Sequence, residues 1–357
     1  MSGNLTVQYQ LTHSMSVQAA YVTSLARHLE SFPGSNNVTS ILPATLPIDP
    51  ATGKRVSVST YLPFHDFSRG ASYAATEGSS AYHGLQTKVE KQFGGGLNFL
   101  ATYTWSKTLS DAGDLLNGGS LRGYRAPNVP GVGIQHDYGL ASFDIRNVFH
   151  LSGGYQLPFG KGKKFMSSAT GAADKLVGGW SVQWITTLEG GQPITLGCPN
   201  GTTTGTNCYD LVVSGQPFDL GLHTDANGKL SWLGNPKAFT QPPACTQTLT
   251  TSPLVNCGVS ALGGGPAQVP GPGFHRLDFS VFKDIPLNER MRFQFRTEIF
   301  NVTNHPNFNA PGFGGNGVVA ISGSTNFNDT THFGEIGSTR DAPYDARQIQ
   351  FALKFYY

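Results

Sequence analysis

Four cysteines are the residues best equipped for covalent or metal chemistry: Cys198, Cys208, Cys245 and Cys257. They form two close pairs within one stretch rich in Gly, Pro, Thr and Asn. Neither pair has CxxC spacing and no histidine pattern accompanies them, which argues against zinc. Two local disulfides in an oxidising compartment fit the spacing, with free thiols in a loop as the alternative. Four cysteines allow three connectivities, of which nearest-neighbour pairing is the simplest. The chain has no GxSxG, HExxH or Walker sequence. Gly312–Gly317 formally spells GxGxxG, but it follows Pro311 in a loop without a strand before it or a helix after it. His136 beside Asp137 reads as a loop pair rather than a dyad. No enzyme activity, cofactor or metal is expected.

The other reactive groups are charges, and their placement is regular. In 291–299, Arg292, Gln294, Arg296 and Glu298 alternate with Met291, Phe293, Phe295, Thr297 and Ile299. In 275–281, Arg276, Asp278 and Ser280 alternate with Leu277, Phe279 and Val281. Lys88 and Glu90 share one face of a similar segment. This period of two belongs to strands with two unlike faces. The last eleven residues show it most clearly: Ile349, Phe351, Leu353, Phe355 and Tyr357 oppose Gln348, Gln350, Ala352, Lys354 and Tyr356. Chain ends usually fray into water, whereas a strand closing a membrane barrel turns its outward face to lipid and sets an aromatic at the interface.

Composition agrees. Charged residues make up 13% of the 357, against about 25% in ordinary soluble domains. Mean hydropathy is only −0.20, and no run of eighteen apolar residues occurs, so membrane-spanning helices are not expected. Net charge is +2 without a basic block, leaving no footprint for nucleic acid. The expected class is therefore all-β: an antiparallel transmembrane barrel, or part of one, with nine or ten strands and long extracellular loops.

Nine strands are expected, near 4–11, 15–23, 80–92, 96–107, 146–157, 179–190, 274–283, 290–301 and 346–357. A tenth could lie at Gly317–Ile321. A soluble β-sandwich that binds carbohydrate would alternate too, so link lengths carry more weight. Links after strands one, three and seven are short, the link after strand five is moderate, and the other four are long. Short periplasmic turns facing long external loops give this asymmetry, and compact soluble domains rarely hold four such loops. Counting back from a periplasmic carboxyl terminus puts the cysteine stretch outside the cell. Tyr103, Trp105, Trp180, Trp184 and Tyr357 are expected near strand ends, in aromatic girdles or in ordinary cross-strand packing. Asp144, Arg146 and Asn147 precede strand five as a polar rim network or as a solvated strand start. An arginine or lysine in lipid at the midplane costs about 2–4 kcal/mol, so Lys88, Glu90, Arg276, Asp278, Arg292, Arg296 and Glu298 are expected to face the lumen.

Six phrases, in order along nearly the whole chain, carry a family resemblance: AYVTSLARHL at Ala20–Leu29, the hairpin Tyr82–Lys107 ending in YTWSK, Asp144–Lys161 with LPFGKG, Gly178–Pro193 with GGW and GGQP, FRTEIFNVTNHPNF at Phe295–Phe308, and ARQIQFALKFYY at Ala346–Tyr357. The chain resembles the carboxyl-terminal half of a TonB-dependent outer-membrane receptor of the Oar-like type, which carries a carboxypeptidase-regulatory-like domain near its start. The resemblance implies a 22-stranded barrel in a Gram-negative-type outer membrane, of which residues 1–357 form the last part. It implies an amino-terminal plug and an energy-coupling TonB complex that acts through the plug. It also implies barrel-assembly machinery, reading a terminal signal of Phe351, Leu353, Phe355 and Tyr357. Met1–Leu11 has neither a charged start nor an apolar core and already reads as a strand; export signal, plug and earlier strands are expected outside this sequence. Siderophore, oligosaccharide and peptide classes of cargo all stay open. A smaller self-contained porin or surface-binding barrel is the competing reading.

Overall fold

Side chains that alternate between apolar and polar can be accommodated on a strand whose two faces meet different solvents. The nine alternating segments take that form in the computed structural model. The structure describes residues 1–31, 36, 46–68, 75–112, 138–196, 211–225, 227–242, 264–265, 269–311, 332–341 and 345–357. The strands are β1 (Ser2–Thr12), β2 (Met15–Ser31), β3 (Ala75–Gly94), β4 (Leu97–Ser110), β5 (Asn147–Gln156), β6 (Trp180–Glu189), β7 (Phe274–Pro286), β8 (Arg292–Phe300) and β9 (Gln348–Tyr356). Each pairs antiparallel with its sequence neighbours, in one sheet of order β1 to β9; a short piece, Gly139–Leu140, adds to β4. Among the described residues, β1 pairs only with β2 and β9 only with β8, so the sheet is curved but open. The expected strand at Gly317–Ile321 lies outside the described residues.

Partners opposite each other share a face, so the register sorts the whole sheet. One row joins Val7, Ala19, Thr87, Tyr103, Phe149 and Leu188; another joins Gly153, Trp184, Phe279, Ile299 and Ile349. This face is apolar and open to solvent: Leu5 is 71% exposed, Phe351 67% and Leu353 66%. Such a continuous exposed patch needs an apolar surrounding. Lysine and histidine interrupt it at the margins. On β3 these are His83 and Lys91; on β7, His275 and Lys283. Each pair is eight residues apart, about 26 Å along a strand. Strand tilt lowers this to about 20 Å of height, and lysine stems lying along the surface extend it toward a 25 Å apolar band.

The rows also climb. The row that crosses β3 at Lys91, close to the β3–β4 turn, reaches β9 at Ile349, close to the opposite end. This stagger is the shear that tilted strands need in order to curl into a barrel. It also corrects two expected positions: Tyr103 and Trp184 sit in the middle of β4 and β6, while Trp180 opens β6 and Tyr357 follows β9. Trp184 lies across Gly153, where a Cβ would come within 2.6 Å of the indole. Glycine at that position makes room for the ring.

Links on one side are short: residues 13–14, 95–96 and 287–291, with 157–179 longer and containing helix α1 (Gly171–Val177). On the other side, β2 and β3 run well past the expected spans. Their register shifts between Ala26 and Ser31, and His28 takes φ +57°; such bulges break the period of two that sequence reading follows. Two loops on that side build a cap with its own core of Leu196, Leu233, Ala238, Phe239, Val269 and Phe333.

Two substitutions test the sorting of faces. Leu353→Arg is expected to lower barrel stability by about 2–4 kcal/mol, whereas Gln350→Arg, on the other face opposite Glu298, is expected to be tolerated. Heat-modifiable electrophoretic migration of the assembled protein reads both. Gly153→Val is expected to cost about 1–3 kcal/mol by displacing Trp184, seen as a lower unfolding temperature in the same assay.

Candidate functional site

The polar face collects the charges. Lys88, Glu90, Arg276, Asp278, Arg292, Arg296 and Glu298 all occupy rows on this face, together with Gln183, His150, Thr187 and Lys354. The sheet curves around it, enclosing a groove of about 840 Å³ whose lining includes Glu90, Ser152, Gln183, Asp278, Phe282 and Glu298.

Most of these charges are satisfied within the wall. Lys88 meets Glu90 at 2.6 Å, two residues along the same strand. Arg276 bonds Asp278 at 3.0 Å and reaches Asp341 at 3.4 Å. Arg296 takes neutral partners, donating to Gln294 Oε1 at 2.6 Å and to the Tyr356 hydroxyl at 2.9 Å, with its guanidinium 5.2 Å from the centre of the Phe282 ring. Arg292 stacks on the Tyr356 ring and lies 3.9 Å from Asp284. Glu298 has no ion pair among the described residues and stands beside Ser280 and Gln350. Arginine suits such stacked, forked contacts better than lysine does.

At the loop end of β7 and β8 the site becomes a clamp that sequence reading missed. Asn301, 3% exposed with φ +49°, donates its amide to the carbonyls of His305 and Asp345. Its backbone N–H donates to Asp278. Asn307 accepts from the N–H of His275, and Asn309 donates to Ser338 and to the Thr339 carbonyl. Arg340 completes the clamp by pairing with Glu189 at 3.0 Å and lying over Phe274. The signal was present in FNVTNHPNFNA: asparagine tolerates the left-handed region and both donates and accepts. Several of their partners, Ser338, Thr339 and Asp345, lie far along the chain.

At the start of β5 a network forms. Asp144, buried, accepts from the Thr108 N–H at 2.6 Å and faces Arg146 at 3.7 Å, while Tyr103 donates to Asn147. Cys198, Cys208, Cys245 and Cys257 lie outside the described residues, as do His136 and Gly312–Gly317. Among the described residues no group of three or more His, Cys, Asp or Glu could hold a metal ion.

Residues 1–350 match the family described as outer membrane beta barrel domain. The chain belongs to that family. The protein resides in the bacterial outer membrane. No curated protein matches the chain. Among solved structures it is similar to the outer membrane transporter YddB from Escherichia coli, at 8% identity and a TM-score of 0.44, covering 100% of this chain and 32% of that one. It is similar to the FrpB iron transporter from Neisseria meningitidis, at 11% and 0.37, covering 99% and 31%. It is also similar to the ferric-catecholate import receptor Fiu from E. coli K12, at 12% and 0.34, covering 99% and 34%. The chain thus spans about a third of the length of these proteins.

Asn301→Ala is expected to leave two carbonyls without their donor and to strain the left-handed backbone, costing about 1–3 kcal/mol. Asn301→Gly relieves the strain alone and is expected to recover only part of the loss. Protease cleavage within 301–347 on intact cells measures the loosened clamp.

Proposed function

We propose that residues 1–357 form the carboxyl-terminal part of the barrel of a TonB-dependent transporter of the Oar-like type. It acts in active uptake of a siderophore, oligosaccharide or peptide-class substrate, with no catalytic step. The observation that carries this reading is the parity of the sheet. Among the described residues, nine strands pair in sequence order in the main sheet and leave β1 and β9 running in the same direction. A closed barrel that is antiparallel throughout needs an odd number of further strands between them. Outer-membrane transporters of about 22 strands supply thirteen. The six ordered phrases, from AYVTSLARHL to ARQIQFALKFYY, support the finer assignment.

In this reading the polar face lines the lumen, where Lys88, Glu90, Arg276, Asp278, Arg292, Arg296 and Glu298 meet water, substrate or a plug domain. The TonB complex acts through that plug, on a separate segment from the strands described. Phe351, Leu353, Phe355 and Tyr357 present the terminal strand to the barrel-assembly machinery, and the loop with Cys198, Cys208, Cys245 and Cys257 stands outside the cell with two local disulfides. Barrel strands preceding β1 are the principal structural partner.

Two measurements test the reading. Residues 1–357 expressed alone are expected to aggregate, because each unpaired backbone group facing lipid costs several kcal/mol; a heat-modifiable, protease-resistant monomer in detergent would contradict it. In cells, uptake through the assembled protein is expected to stop when the proton-motive force is dissipated. Uptake that continues unchanged would favour a passive porin.

A further inference from the structure

The link between β5 and β6 is unlike the other turns on its side. It runs from residue 157 to 179 and holds Lys161, Lys163, Lys164 and Lys175 against a single Asp174. The chain has only 24 lysines and arginines in total, so four in fifteen residues is a concentration of charge in a chain nearly neutral overall. All four are exposed. Among them stand apolar side chains that are also exposed: Leu176 at 72%, Met166 at 52%, and the packed pair Phe159 and Phe165.

This link is a folded unit. Gly160 and Lys163, and Pro158 and Phe165, are joined by backbone hydrogen bonds. Asp174 accepts from the Lys161 N–H at 2.6 Å, fastening the lysine loop to α1. Gly160 has φ +109°, and a Cβ there would sit 2.7 Å from the Gly178 Cα, so the two glycines let the loop close onto the end of the helix.

Its attachment sets its location. Trp180, on the lipid-facing rows, donates its indole N–H to the Leu176 carbonyl at 2.9 Å. Lys283, opposite Trp180 on the same face, donates to the Gly178 carbonyl and lies over the Trp180 ring. The end of α1 is therefore tied to the lipid side of β6 and β7, at the margin of the apolar band. Exposed lysines interleaved with exposed apolar side chains, at the height of the headgroups, fit a segment lying in a membrane interface.

We propose that residues 158–178 dock on the periplasmic leaflet, with Leu176 beside the acyl boundary and Lys161, Lys163, Lys164 and Lys175 binding the phosphates of anionic phospholipid. Continuity with the lipid-facing rows through Trp180 and Lys283, together with the charge, selects a lipid surface over a polypeptide. The segment would act as an anchor, fixing the depth of the barrel in its bilayer.

The proposal rests on the outer-membrane barrel placement, which membrane fractionation tests separately. The protein is extracted from its outer membrane as the barrel it forms there and equilibrated with equimolar phosphatidylglycerol and phosphatidylcholine. Native mass spectrometry then counts the retained lipids. Preferential retention of phosphatidylglycerol is expected, weakening about fivefold for each lysine replaced in Lys161→Gln, Lys163→Gln, Lys164→Gln and Lys175→Gln. Heat-modifiable migration of the variants is expected to stay unchanged. Equal retention of both lipids by the wild-type protein, or displacement of the lipid by inorganic phosphate, overturns the proposal. Should the combined variant fail to assemble, trypsin cleavage of the wild-type protein after Lys163 and Lys164 decides. Protection in phosphatidylglycerol vesicles but not in phosphatidylcholine vesicles is expected; equal cleavage overturns it.

Discussion

Within hydrocarbon no water is available to pair a peptide group, and the rest of the sheet is organised around that constraint. Every strand from β2 to β8 is hydrogen-bonded on both sides, and each neighbour in space is the neighbour in sequence. A meander is the arrangement that meets the demand with the least chain, because hairpins such as β1–β2 and β3–β4 close with two-residue links. The requirement leaves the connecting loops free to be any length on the far side, where water is present. It also makes the two outer edges, on β1 and β9, the places where the sheet is incomplete, and it is there that the apolar side chains are most exposed.

Once the ladder is fixed, the two faces follow by alternation and the tilt follows from the stagger. The rows that climb from the β3–β4 turn to the start of β9 show that the strands slant. Slanted strands lengthen the path through the bilayer, so an apolar stretch bounded by His83 and Lys91, or by His275 and Lys283, covers a band shorter than its length along the strand. The lysines at these margins compensate through their stems. Lys283 does so with partners, since Gly178 and Trp180 both receive it.

The strands were legible in the sequence because one property, which side chain faces which solvent, repeats every two residues. Arg292 to Ile299 is sorted by that rule without knowledge of any neighbour. What required several strands at once was not legible. The height of Tyr103 or Trp184 depends on the stagger of the whole sheet, so both looked like strand-end aromatics and lie mid-strand. The extension of β2 to Ser31 was hidden by a bulge at His28. The cap core joins Leu196 to Leu233 and Phe333, residues separated by tens of positions in stretches dominated by Gly, Pro and Thr. The Asn301 clamp was visible as a cluster of asparagines, but its partners at Asp345, Ser338 and Thr339 lie more than twenty-five residues downstream.

Asp278 links the two halves of the polar site. Its carboxylate accepts from Arg276 within the wall and from the Asn301 N–H at the mouth. Arg276 also reaches Asp341 in the last long loop. Wall and loop therefore share one carboxylate and one guanidinium, about a quarter exposed each. A charge-assisted hydrogen bond in partial shelter from water is stronger than a surface ion pair, whose median contribution is about 0–1 kcal/mol. The consequence is mechanical as well as electrostatic. Moving the Asp278 carboxylate would break both its pair with Arg276 and its hydrogen bond from the Asn301 N–H, at the turn whose Asn301 side chain binds the carbonyls of His305 and Asp345. The last long loop is thus fastened to the wall through Arg276 and through Asp278, which also lines the groove.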